Sequence, residues 1–540
     1  MKSVSSLLFA FVALLSSISP CLQAVTITGE IVDAKTDLLI PARLYIEEKD
    51  GTGFFAESAS PDGRAVIYDI KFSKNLNIKE QHTSLSAHPF KVELDPGSYT
   101  FTVERGKEYL PLVKQIEVGA DPMSIKLPLQ RWINMAERGW FSGDMHNHRL
   151  PDELPVIMLA EDLNVGLPMS HWTRANDVPP SEGDKTMKGA GVARLARVDD
   201  AHVIWSLNTE YEIFTTAGKT HTLGALLILN HKHVFNIPAF PLVKVAERAR
   251  AEGGLLDMDK HNWPWSLAIV PLVKPDLFEL TNNHLWRMEF AVKGWADPAP
   301  KWMEVGTGID TEDDWLHFGF KTYYALLNCG FRINPSAGTA SGVHPVPLGF
   351  GRVYVHTGKS FEYKTWIDGL KNGRSFVTTG PMLLAKINGE LPGSTFVSKD
   401  GNPIDTVIAG LIYSEQPVNE VELIVNGDIT KTIKLQSKQN KDGSWESQFS
   451  TDMKIESSSW IVVRCFESRE EGKRHRFAHT APWHVVTEGK PLFPKRQEVE
   501  WLIGNVKKEI ERSAPILPDY AVSEYQQALK AYEAMLPDAK

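Results

Sequence analysis

Gly143-Asp144-Met145-His146-Asn147-His148 is the stretch on which the reading of this chain turns. It follows an aromatic, apolar approach, Trp140-Phe141-Ser142. Side chains alternate along an extended segment, so His146 and His148 face one side together, about 7 Å apart along the strand. Two neutral imidazoles converging from one strand end can chelate a divalent metal. An isolated HxH is explained more readily by a polar surface strand. The rest of the chain decides between the two.

Towards the N-terminus, residues 25–130 read as β. Val25 to Val32 and Ala42 to Ile46 alternate apolar and polar positions. Phe90 to Leu94 runs through the turn Asp95-Pro96-Gly97 into Tyr99 to Val103. Period-two runs between Pro, Gly and Asp turns predict a β-sandwich. His82 and His88 are expected in a solvated polar loop. Before this unit, Lys2, the apolar run Leu7 to Leu15 and Ala24 predict a cleaved secretory signal over residues 1–24. A periplasmic or secreted location is then expected, with Cys329 and Cys465 unpaired in different domains.

Towards the C-terminus, residues 135–385 change pattern. Short apolar strands alternate with helical stretches such as Leu154 to Leu163, Val243 to Gly253 and Trp366 to Leu370. That alternation predicts an α/β barrel, with its chemistry on the loops after the strands. Residues 386–488 return to β and are expected to form a second sandwich. Residues 489–540 hold two amphipathic helices.

With 540 residues the chain needs several domains. Hydrophobic content of 42% and charged content of 23% are those of a globular protein. The net charge of −9 and the lack of a long Lys/Arg run argue against a nucleic-acid partner. No segment after the leader is apolar enough to cross a membrane.

Nine of the 17 histidines lie between His146 and His284, and their placement favours a metal site over chance. His171 closes the strand Val165 to Ser170, and Glu210 follows Ile204 to Leu207. His221 precedes Leu223 to Leu229, with His231 and His233 after it. His261 follows Leu255 to Lys260, and His284 follows Phe278-Glu279-Leu280. A barrel would bring such strand ends onto one rim.

The Gly143–His148 stretch resembles the "G-D-x-H-x-H" first motif of the PHP (polymerase and histidinol phosphatase) superfamily. Ala160 to Gly166, Leu327 to Arg332, Pro347 to Val355 and Gly373 to Pro381 are similar to stretches of its CehA/McbA-type metallohydrolase branch, which includes carbaryl hydrolase. The resemblance covers residues 135–385. It implies an α/β fold, a distorted (β/α)7 barrel, and a multinuclear site for zinc, manganese or iron. His146 and His148 match the first motif, and His171 matches the His of the family's "T-D-H", with Ser170 at its Asp. Glu210 matches the metal-bridging acid, and His221 and His261 match later single histidines. The family's "G-S-D-x-H" is absent: Ala340 and Gly342 stand at its Asp and His, with His344 two residues on. One or two metal ions are therefore expected.

A divalent ion in such a site lowers the pKa of its water to about 7, and two ions bridged by a carboxylate lie about 3.5–4 Å apart. Hydrolysis of a small-molecule ester, carbamate or phosphoester is the expected function. Glu210 and His284 are the candidate catalytic residues, with His231 as another proton donor or substrate contact. Trp263-Pro264-Trp265 and Asn282-Asn283-His284 are candidates for the cleft wall. Arg174 and Arg352 could bind an anion or form structural salt bridges, and Asp144 is expected to orient the loop or a ligand. Asp257 and Asp259 share the phase of His261 and are expected to point inward behind the ligands. The alternative is a catalytically impaired barrel that binds carbohydrate or a surface partner.

Overall fold

Alternation in the first hundred residues becomes two packed sheets. The computed structural model describes residues 24–72, 75–183, 185–187, 192–285, 297–470 and 474–540. The expected leader thus lies outside the described residues, Ala24 excepted. In the N-terminal unit, Val25–Asp33 lies between Met123–Leu129 and Phe90–Leu94. Ala42–Glu48 lies between Asn75–Leu85 and Gly97–Glu104. Ile27, Leu44, Phe90, Phe101 and Leu127 fill the space between the sheets. His82 is not in a solvated loop. It sits on the strand Asn75–Leu85, is 2% exposed, and packs its ring against Tyr45 and Tyr68.

The fold as a whole is mixed α/β and rich in strands, with five sheets among the described residues. From residue 140 two of them share one core. In the first, Trp140–Asn147 pairs in parallel with Val165–Pro168 and antiparallel with Arg352–His356. In the second, the strand order is His171–Ala175, Thr209–Thr216, Lys219–Leu229, Leu255–Met258, Leu277–Thr281 and Asn334–Ala337. The first sheet passes into the second through Met169-Ser170. They meet again where Thr339 N and Ala340 N donate to His146 O, at 3.1 and 2.6 Å.

Helices are fewer than strict strand–helix alternation predicts. Thr209–Thr216 and Lys219–Leu229 form an antiparallel hairpin around Ala217-Gly218, not a crossover. The helices that do form carry apolar faces against the sheets. Leu242–Ala251 buries Leu242, Val245, Ala246 and Ala249, a three-to-four-residue spacing that places them on one face. Glu312–Asn328 starts at a Thr311 cap, whose side chain accepts from Asp314 N.

The boundary expected near residue 385 runs through a continuous sheet. Ser375–Thr378 pairs with Phe477–Thr480, which pairs onward with Ser459–Phe466. Arg496–Ser513 and Asp519–Glu533 are the two C-terminal helices. They pack on the central region, where Trp265 Nε1 donates to Tyr525 OH at 2.7 Å and Tyr532 OH to Leu267 O at 2.8 Å. Cys329 and Cys465 are free thiols. Among the described residues no helix is long and apolar enough to cross a membrane.

Candidate metal centre

The strand Trp140–Asn147 is buried at every residue, so its polar groups must find partners inside the protein. Asp144 supplies several. Its Oδ1 accepts from His146 N at 3.0 Å and Thr339 N at 3.3 Å. Its Oδ2 accepts from Thr339 Oγ1 at 2.5 Å and Gly349 N at 2.9 Å. Burial raises its carboxyl to about 6 against the lowering effect of those bonds. Asp144 thereby holds the backbone that carries the two histidines.

The two imidazoles converge, with His146 Nε2 3.2 Å from His148 Nε2. Glu210, on Thr209–Thr216, adds the third corner. Its Oε1 is 3.5 Å from His146 Nε2 and its Oε2 is 3.3 Å from His148 Nε2. Ligands on a tetrahedral zinc ion at 2.0–2.1 Å stand about 3.3 Å from one another. The triangle matches that spacing. The opposite nitrogen of the same ring meets a second group: His146 Nδ1 is 3.2 Å from Glu279 Oε1 and 3.8 Å from Asp259 Oδ1. Both triads, His146–His148–Glu210 and His146–Asp259–Glu279, bring donor atoms within the reach of one ion.

The hydrogen bonding points the same way. Among the described residues, and leaving aside the contact between the Asp259 and Glu279 carboxyls, His146 Nδ1, Glu210 Oε2, Asp259 Oδ1 and both Glu279 oxygens are buried with no hydrogen-bond partner. Buried polar atoms left so are costly, and a cation satisfies several at once. Glu210, Glu212, Asp257, Asp259 and Glu279 crowd together, with the Lys260 ammonium paired to Asp259 among them. Burial, then Glu212 and Asp259, push the Glu210 carboxyl well above the usual range. Burial, then Asp259 and Asp257, do the same to Glu279. Burial draws His146 down to about 4, so at neutral pH its ring keeps a lone pair for a metal. Buried His, Glu and Asp groups here can hold a metal ion.

Other expected ligands lie elsewhere. In register, His171 sits beside Thr209 and Trp172 beside Glu210. Neighbours in register share a face. Trp172 therefore faces the centre, its ring 4.3 Å from that of His148. His171 takes the other face, with Ser170 Oγ at 3.2 Å from its Nδ1. His231 joins that other face. Its Nε2 is 2.9 Å from Thr209 Oγ1 and its Nδ1 2.9 Å from His233 O, so both nitrogens are engaged away from Glu210.

His221 is at the wrong end of its strand. Leu227 opposes Glu210, six residues further along or about 20 Å away. Ser513 Oγ and Arg512 Nη1 occupy its nitrogens at 2.9 and 3.1 Å. His261 is two residues beyond Asp259 but packs on Trp315 and Phe318, with ring centroids at 4.2 and 4.9 Å. It belongs to neither triad.

His284 lies near the centre, its ring 6.0 Å from that of His344, and burial holds it well below its ordinary pKa. Among the described residues Arg352 makes no salt bridge. Its guanidinium donates to the carbonyls of Gly349, Glu161 and Asp162. Arg174 is exposed beside the Phe214 ring. Trp265 is core, whereas Trp263 lies under Lys260 at 4.7 Å and lines a cavity of about 570 Å³ with His261, Phe318 and Trp501.

No family model, curated protein or solved structure matches this chain. The site therefore rests on its own geometry. Glu279 is the group that strand-end reasoning passed over, and Asp259, expected behind the ligands, lies with it on the Nδ1 side of His146. Glu279 carried a signal: it is a lone charge in the fully buried strand Leu277–Thr281, where an unpartnered carboxylate would not be tolerated.

Proposed function

We propose that this protein is a metal-dependent hydrolase of the PHP superfamily, CehA/McbA-type, acting on an ester, carbamate or phosphoester. The observation that carries the reading is the 3.2, 3.3 and 3.5 Å triangle of His146, His148 and Glu210. The strand pairing is in keeping with a distorted seven-stranded barrel. It runs from Trp140–Asn147 through Val165–Ala175, the 209–229 hairpin, Leu255–Met258, Leu277–Thr281 and Asn334–Ala337, and back to His146 O. The sheets on either side play the part of flanking sandwiches.

In this reading His146 Nε2, His148 and Glu210 hold zinc, manganese or iron. Glu279 Oε1, 3.2 Å from His146 Nδ1, would orient the ring from behind and favour the Nδ1–H tautomer, while Asp259 at 3.8 Å adds charge rather than a hydrogen bond. A divalent ion there supplies an acidified water and a Lewis acid for a carbonyl or phosphoryl oxygen. Lys260 places a fixed positive charge beside the centre, and His284 is the candidate for carrying a proton to the leaving group. The Trp172 ring packs on that of His148 and forms one wall of the centre.

Metal analysis of protein loaded with zinc, manganese or iron, followed by a screen of aryl esters, carbamates and phosphate esters, tests the proposal. Stoichiometric metal, and turnover that His148→Ala abolishes, are expected. A metal-free protein after loading would overturn it. The second reading, a barrel that binds without catalysis, draws on Ser170, Ala340 and Gly342 standing where the family has ligands. Bound metal without turnover of any ester in the screen would favour it.

A further inference from the structure

The N-terminal unit reaches the metal centre through one side chain. Tyr68, on the strand Ala65–Phe72, is 4% exposed and leaves its own sheet to meet the loop 339–344. Its hydroxyl donates to His344 O at 2.5 Å and accepts from Gly342 N at 2.7 Å. The Arg149 guanidinium, one residue past His148, lies 4.3 Å over its ring. His82 backs the ring at 5.2 Å, braced by Glu80 at 2.7 Å from its Nδ1. Burial raises the phenol above its ordinary pKa, so it remains a donor at neutral pH.

The loop that Tyr68 clamps bonds to the backbone of both histidines. His148 N donates to Ser341 O at 2.7 Å, and Thr339 N and Ala340 N donate to His146 O. Close approach is built in at Gly342. Its φ is +113°, and a Cβ there would fall 2.5 Å from His148 O. The same loop carries His344 to within interaction range of His146 and His148. A shift of the loop therefore moves the two imidazoles relative to Glu210, which is carried by a different sheet.

We propose that Tyr68 is a positioning residue for the metal centre, and that the N-terminal unit sets the geometry of His146 and His148 by clamping the loop 339–344. This rests on the metal-centre reading above. It places a functional contact in a region whose sequence suggests only an accessory sheet.

The test uses the full chain. Zinc and cobalt(II) are titrated into metal-free wild type, Tyr68→Phe and Val66→Ala, with melting temperatures measured in parallel. Val66 belongs to the same strand and to the apolar cluster of Leu154 and Ile157, and it has no polar group to bond to the loop. Tyr68→Phe keeps the ring and is expected to bind zinc about 10-fold more weakly, with an altered cobalt absorption spectrum. Val66→Ala is expected to melt earlier yet keep zinc affinity within about 2-fold. Equal affinity and spectrum in Tyr68→Phe would overturn the inference. So would an equal loss in Val66→Ala, which would mean general loosening. Failure of wild type to bind either metal would overturn the metal-centre reading itself, and it would show before any variant is compared.

Discussion

His146 meets Glu210 through Nε2 at 3.5 Å and Glu279 through Nδ1 at 3.2 Å, so one buried imidazole stands between two carboxyls from different strands. A neutral ring has one proton to give. It can donate to one carboxyl and offer its lone pair to a cation beside the other, but it cannot satisfy both as a donor. This asymmetry gives an ion a defined place at the lone pair.

Zinc is expected to stabilise the protein, because an ion that binds only the folded state adds about 2.7 kcal/mol at 100 times its dissociation constant. Glu210→Gln should remove that gain. The metal-free variant should melt close to wild type, since burial disfavours the charged Glu210 carboxylate and Gln is a neutral near-isostere. Melting curves with and without zinc check this. A zinc-linked gain in Glu210→Gln equal to that of wild type would remove Glu210 from the site.

Gly338→Ala should damage the centre. A Cβ at this position would lie 2.1 Å from Glu279 Oε1 and 2.4 Å from His146 Cβ. Overpacking of this kind costs about 1–3 kcal/mol. The displaced groups are both members of a triad, so zinc affinity should fall with stability. Calorimetric titration that gives wild-type affinity would show that the two side chains can yield without consequence.

His221→Gln should leave metal affinity unchanged, because His221 is bound to Ser513 and Arg512 on the helix Arg496–Ser513. Its cost should be about 1–2 kcal/mol of stability from weakened helix docking. A large loss of zinc binding in this variant would restore His221 to the ligand set.

Acid should destabilise the protein through His479. Tyr324 OH donates to its Nε2 at 2.8 Å, and its Nδ1 donates to Thr480 O at 2.7 Å. Burial, then Arg464, lower it to about 3 from 6.5. Below pH 6.5 the unfolded chain takes up a proton that the folded chain refuses. The stability of the neutral form is therefore full above 6.5 and is lost as pH falls, at about 1.4 kcal/mol per unit down to about 3. His479→Gln should be less stable at pH 7.5 but show a shallower decline between pH 6.5 and 5. Parallel declines would exclude His479 as the source.

The sequence made part of the site legible because strand alternation is a local rule. His146 and His148 read as a same-face pair, and they are one. Glu210, expected after a strand, lies beside them. His171 and His221, expected there too, do not, for two different physical reasons. His171 occupies the face opposite Glu210, and strand-end position says nothing about face without the pairing of His171 with Thr209. His221 fails because Ala217-Gly218 reverses the chain into a hairpin, so residues before the next strand return to the far end. Local pattern marked Asp259 as inward-facing and Glu279 as a lone charge in an apolar strand, but their meeting at His146 depends on pairing between strands 18 or more residues apart. His82 looked solvated because its neighbours in sequence are polar, while its partners Tyr45 and Tyr68 come from other strands.

The pairing of Ser375–Thr378 with Phe477–Thr480 has a practical bearing on how the protein can be cut. A fragment ending at residue 385 would strip one side of the 375–378 strand, leaving a row of backbone donors and acceptors open. Such an edge invites pairing with other copies. The stripped strand includes the apolar residues Phe376 and Val377, both buried in the whole chain. Aggregation of that fragment would report a broken sheet rather than a defect in the metal centre, so the site is best studied with the C-terminal strands retained.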